Sequence, residues 1–151
     1  MLRVVYEAAE DLKPGQLVAI GEDRGIITVR IRRTADTPTY TRALNGELEK
    51  FLATSEWFQL RKDKIVSPQS TECPVRVVYV LDDDLGAGEV VEIREHLGLV
   101  KIKVRPDADV DRFVAALNPA IKTFLDAGHW FQHWQGEIVD MTSPEGQAAQ
   151  V

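Results

Sequence analysis

Short apolar runs alternate with charged positions along this chain, and they recur in the same order twice. Arg3–Glu7 (RVVYE) and Arg76–Leu81 (RVVYVL) are β-branched and aromatic, which predicts a first strand in each series. Leu17–Ile20 and Val90–Ile93 predict a second strand. In the later copy Val91 and Ile93 alternate with Glu92 and Arg94, the pattern of a half-buried strand. Gly25 and Gly98 fall in the following turns, where a positive φ is expected. The third strands are Ile26–Arg32 and Leu99–Arg105. There Val29 and Ile31 alternate with Arg30 and Arg32, and Ile102 and Val104 with Lys101, Lys103 and Arg105.

The next stretch is ambiguous. Thr39–Leu44 (TYTRAL) is β-prone, whereas Arg112–Leu117 (RFVAAL) tolerates a helix. Asn45-Gly46 and Asn118-Pro119 then interrupt both copies, and Pro suits the first helical position after an Asn cap. The preferred expectation is a strand or short extra helix at 39–44 and 112–117. Asn-capped helices over Gly46–Ala53 and Pro119–Ala127 then follow. Their apolar residues Leu48, Phe51, Leu52 and Ile121, Phe124, Leu125 lie at i, i+3, i+4. One helix kinked at Asn118 is the alternative. A last strand is expected over Trp57–Val66 and Trp130–Val139.

The two series superpose at a constant shift of 73. Over residues 3–66 against 76–139, 24 of the 64 pairs are identical and no gap is needed. Unrelated sequences would match at roughly one position in fifteen to twenty. Tandem duplication of a unit of about 64 residues is the expectation. The expected fold class is α+β: a doubled β-β-β-(β/α)-α-β unit with antiparallel sheets. Residues 1–66 and 76–141 would be the repeats, 67–75 a linker, and 142–151 a disordered tail. A 64-residue unit has a marginal core, so the copies should pack together with pseudo-two-fold symmetry.

Composition narrows the function. With 44% apolar and 28% charged residues in 151, the chain is that of a folded protein. No run of about 18 apolar residues occurs, and no apolar leader follows a basic start, so a cytoplasmic location is expected. Cys73 is the single cysteine, which excludes an internal disulfide or a cysteine zinc cluster. The net charge is -6, unevenly spread. Residues 1–66 hold 11 Lys/Arg and 10 Asp/Glu, whereas residues 76–139 hold 7 and 11.

Four groups of residues are candidates for chemistry. Trp57, Phe58 and Gln59 recur as Trp130, Phe131 and Gln132. Core packing, contact between the copies or partner binding would each explain them. His133 and Trp134 replace Leu60 and Arg61, so His129–Trp134 is the expected partner-binding segment if one copy has specialised. His129 and His133 have ligand spacing on a helix, but on a strand they would lie about 13 Å apart. No metal or other cofactor is therefore expected. Asp82, Asp83 and Asp84 lack a calcium-loop pattern and read as a solvated turn. Arg24, Arg30, Arg32, Arg33 and Arg42 form a basic set confined largely to the first copy, the basis for a nucleic-acid alternative.

No Gly-rich phosphate loop, HExxH or nucleophile elbow is present, and Asp36 and Asp109 suit capping or turn roles. The expectation is a non-catalytic protein-interaction module, a small adaptor or accessory subunit of a larger bacterial-type assembly. Its partner would be another, unknown protein. The alternatives are single-stranded DNA or RNA binding through the basic strand face, or a small-ligand or enzymatic site between the lobes.

Overall fold

The computed structural model describes residues 3–23, 25–54, 57–61, 63–67, 76–96, 98–128, 130–134 and 136–141. The expected linker residues 68–75 and the tail 142–151 lie outside them, as do Arg24 and His129. For Trp57, Gln59, Arg61, Gln132 and Trp134 only the backbone is described.

The architecture is mixed α+β, and the described residues form two three-stranded sheets, two helices and a four-stranded sheet. In the N-terminal half, β1 (Arg3–Ala9), β2 (Val18–Asp23) and β3 (Ile26–Arg32) form a sheet of order β1-β3-β2. Gly25 makes the β2–β3 turn with φ 84°, as its position in the pattern requires. The Glu22 carboxylate accepts the Gly25 N–H at 3.2 Å. In the C-terminal half, β6 (Arg76–Leu81), β7 (Val91–His96) and β8 (Leu99–Val104) repeat this order, with Gly98 at φ 86° and Glu95 accepting from its N–H at 3.1 Å.

These sheets are mixed, which corrects the antiparallel expectation. β2 and β3 form an antiparallel hairpin, but β3 is central and runs parallel to β1, as β8 does to β6. Alternation reports which face a strand buries, not which strand lies beside it. The connection from β1 to β2 must therefore pass over the end of β3. Arg32 secures it: its guanidinium donates to the carbonyls of Lys13 at 2.7 Å, Gln16 at 3.0 Å and Leu12 at 3.3 Å. Arg105 does the same to Gly86, Glu89 and Leu85.

The second correction concerns the helices. Thr37–Thr54 (α1) and Val110–Ala127 (α2) are each one helix of 18 residues, so 39–44 and 112–117 are helical and no new helix starts at Gly46 or Pro119. The caps are Asp36, accepting from Thr39 N–H at 2.9 Å, and Asp109, accepting from Arg112 N–H at 2.8 Å. Hydrogen bonds from Thr39 also hold the Asp36 carboxyl below its ordinary pKa. Pro119 sits inside α2 without a hydrogen to give the preceding turn. Burial of the apolar stripe Phe113, Leu117, Ile121 and Leu125 overrides that local cost.

Gly46, the equivalent position in α1, is exposed, and a Cβ there would meet no atom within 4 Å. Gly46→Ala should therefore raise stability by about 0.5–1 kcal/mol in urea unfolding, since helical glycine costs that much relative to alanine.

Each helix lies across both halves: α1 packs on β2 and on β6, α2 on β7 and on β1. One core results. Tyr6, Val29 and Ile31 of the first sheet meet Tyr79, Ile102 and Val104 of the second around Tyr40, Leu44, Phe113 and Leu117. The last expected strand is a hairpin in each half. β4 (Trp57–Arg61) turns into β5 (Lys64–Val66), and β9 (Trp130–Trp134) into β10 (Glu137–Asp140). The turns hold Asp63 at φ 64° and Gly136 at φ 85°, the left-handed region that reverses a tight hairpin. Among the described residues no helix is long and apolar enough to cross a membrane.

Candidate functional site

The recurring Trp-Phe-Gln segments are where the two halves join. β4 pairs antiparallel with β9, with Phe58 opposite Phe131, Trp57 opposite Gln132 and Gln59 opposite Trp130. Two segments of identical sequence, laid antiparallel, meet about their central residue. Contact between the halves thus accounts for the positions of all six in the backbone. The joined sheet has the order β10-β9-β4-β5.

The two faces of this sheet differ. Trp130 is 9% exposed and belongs to the common core, so its side chain is not on a surface open to a partner. Strand alternation puts Phe58, Leu60, Phe131 and His133 on the opposite face, with Ile65 beside Leu60 and Ile138 beside His133. Leu60, Ile65 and Ile138 are exposed to 36%, 42% and 46%. Phe58 and Phe131 are half-buried, and exposed His133 meets the Phe58 ring edge-on at 5.9 Å between centroids. Exposed apolar side chains grouped on one face are the kind of surface that marks an interaction site.

Sequence reasoning missed the polar contacts that bind the halves across their centre. Asn118 of α2 accepts the backbone N–H of Tyr6 at 2.7 Å and donates to its carbonyl at 3.0 Å. Asn45 of α1 does the same for Tyr79, at 2.6 and 2.9 Å. A primary amide carries the donor and acceptor of a peptide group, so each Asn serves as the missing neighbour of an edge strand. The Tyr6 and Tyr79 hydroxyls meet at 2.6 Å. The signal in the sequence is an Asn and a Tyr present at matching positions of both halves, where the Asn reads locally as a helix cap.

Burial pushes the Tyr6 hydroxyl up to about 12, offset in part by its hydrogen bond with Tyr79. Tyr40 rises to about 12, chiefly through burial, and Tyr79 well above 10 for the same reason. The chain has 3 tyrosines, and these are they. An unfolded tyrosine releases its proton near 10, so above that pH the folded state holds protons the unfolded state has lost. The stability this contributes is whole below pH 10 and disappears as pH rises from 10 toward 12. Tyrosinate absorbance should therefore stay absent through pH 10 and appear together with unfolding at higher pH. A non-cooperative tyrosinate signal near pH 10 in folded protein would refute the burial.

Beside this centre, between the helices and the three-stranded sheets, lies a cavity of about 100 Å³. Its lining is aliphatic and aromatic, and its polar groups among the described residues are the Tyr6 hydroxyl and the buried indole N–H of Trp130, which has no hydrogen-bond partner there. Twelve of its fourteen lining residues form six pairs spaced by 73, Val4 with Val77 and Phe51 with Phe124 among them.

The expected basic face is largely neutralised where it is described. Arg30 pairs with Asp11 and lies 3.8 Å from Glu7. Arg33 pairs with Glu10 and reaches Asp111 of the other half at 3.2 Å. Arg32 is engaged by loop carbonyls, and Arg42 is exposed on α1 rather than on the strand. Asp82, Asp83 and Asp84 are close together, but Lys103 lies 3.6 Å from Asp82, and the Asp82 carboxylate accepts the Asp84 N–H.

No protein-family model, curated protein or solved structure matches the chain.

Proposed function

We propose that the chain is an internal pseudo-dimer made by tandem duplication and that it acts as a cytoplasmic, non-catalytic protein-interaction module, an adaptor or accessory subunit of a larger assembly. The duplication reading draws support from the matching element order, the 73-residue spacing of reciprocal Asn–Tyr contacts, and the meeting of Phe58 with Phe131. The single observation that carries the interaction reading is the exposed apolar face of the joined sheet, with Leu60, Ile65 and Ile138 around the phenylalanines. Among the described residues, Asp140 opposite Phe131 is the one carboxylate that the register places on this face. The partner surface it fits is therefore an uncharged apolar one, held through burial rather than ion pairing.

The test is capture from native host extract by immobilised full-length chain, beside a variant carrying Leu60→Glu and Ile138→Glu. Both positions are on the surface, so the variant should keep its circular dichroism spectrum. The parent should retain one stoichiometric partner that high salt does not elute, and the variant should lose it. Equal retention by both, or retention that salt abolishes, would end this reading.

A further inference from the structure

We infer that the cavity between the halves is a binding site for a small uncharged apolar molecule, the size of one aromatic ring or the last few carbons of an alkyl chain. Volume and lining carry this. At about 100 Å³ the space is many times larger than a water needs, and its walls are aliphatic and aromatic. An engineered cavity of about 150 Å³ with such walls stays dry and binds benzene or xenon. A buried water needs two or more polar partners. Of the two polar side-chain groups in the described lining, the Tyr6 hydroxyl is already hydrogen-bonded to Tyr79, which leaves only the Trp130 indole N–H to meet a water. Among the described residues no charged side chain lines the space, which disfavours an ionic headgroup there.

Access does not require the core to open. Leu48, Phe51 and Leu52 of α1 and Phe124 of α2 are only half-buried and form the outer part of the lining. The chain's own C-terminal residues are the wrong chemistry for this space. Residues 142–151 read Thr-Ser-Pro-Glu-Gly-Gln-Ala-Ala-Gln-Val, mostly polar and with one side-chain carboxylate. The site is independent of the proposed partner surface: Trp130 lines the cavity from one face of the joined sheet, and Phe131 faces the other way.

The experiment uses full-length protein, methyl NMR and thermal unfolding, with benzene in one arm and a series from butanol to octanol in the other. Saturable shifts confined to methyl groups of the lining, those of Val4, Val77, Leu48, Leu52 and Ile121 among them, with a raised midpoint, are the expected result. Preference for benzene identifies a ring as the occupant. Affinity that climbs with each added methylene identifies an alkyl end. Val77→Phe, which fills the space, should weaken binding by about tenfold or more, the factor that lost burial of about two methylenes gives. Leu48→Phe, at a half-buried helical position, makes the same test if Val77→Phe fails to fold. Shifts that do not saturate, or that the filled variant shows undiminished, would overturn the inference.

Discussion

Asn118→Ala should lower unfolding stability by about 2–4 kcal/mol, because it strands both the N–H and the carbonyl of Tyr6 at once. Each backbone group left without a partner in a part-buried place costs about 1–3 kcal/mol, and the side chain supplied one bond to each. Asn45→Ala should cost as much through Tyr79. The loss is separable from helix propensity, since alanine is the better helix former and propensity alone would favour the variant. Asn118→Asp sharpens the point. It keeps an acceptor for the Tyr6 N–H but sets a carboxylate against the Tyr6 carbonyl. It should be as unstable as the alanine variant at neutral pH and recover as acid protonates it. Urea unfolding of the three variants, with exposed Lys122→Ala as a control within about 0.5 kcal/mol of the parent, is the measurement. Parent-like stability of Asn118→Ala would show that the amide contacts do not hold the halves.

The second large effect is expected at Phe113. This ring is fully buried and meets those of Tyr40 at 5.0 Å, Tyr6 at 6.0 Å and Tyr79 at 6.3 Å. Phe113→Ala should cost about 3–5 kcal/mol, the lost transfer energy plus the cavity left among three rings that are too constrained to close over it. Tyr40 occupies the matching position of the first half. Its hydroxyl donates to the Ala108 carbonyl at 2.7 Å, but the Thr37 hydroxyl donates to the same oxygen at 2.7 Å. Tyr40→Phe leaves that carbonyl satisfied and should cost only about 1 kcal/mol. Deleting the Phe113 ring should therefore cost several-fold more than deleting the Tyr40 hydroxyl, in thermal and urea unfolding alike. Equal costs would mean that the Phe113 ring contributes no more than a single hydrogen bond.

Much of the element list is readable because short-range physics decides it. Val29 and Ile31 alternate with arginines, and they form a strand with the aliphatic side buried. Gly25 and Gly98 sit where a hairpin needs a left-handed residue. Asp36 and Asp109, whose side chains suit a cap or a turn, cap the helices. Helix continuity is not legible, for an equally physical reason. Asn-Gly and Asn-Pro oppose a helix locally, and 18-residue helices persist through them because each Asn reaches an edge strand of the other half. The basic set looks like a face because sequence shows the arginines, whereas Glu7, Glu10 and Asp111 become their neighbours only when the chain folds.

By itself the sequence determined the α+β class, the order of most elements, the recurrence at a shift of 73, and which side of the third strands is apolar. These rest on periodicity, turn chemistry and identity at a constant shift, all of which act within a few residues or are visible in the letters. Tertiary structure alone decided that β3 and β8 are central and parallel to β1 and β6. It also decided that Asn45 and Asn118 close foreign strand edges, and that Trp130 is core while Leu60, Ile65 and Ile138 stay outside. Those outcomes rest on contacts between residues 23 to 112 positions apart, and no local preference encodes a partner that far along the chain.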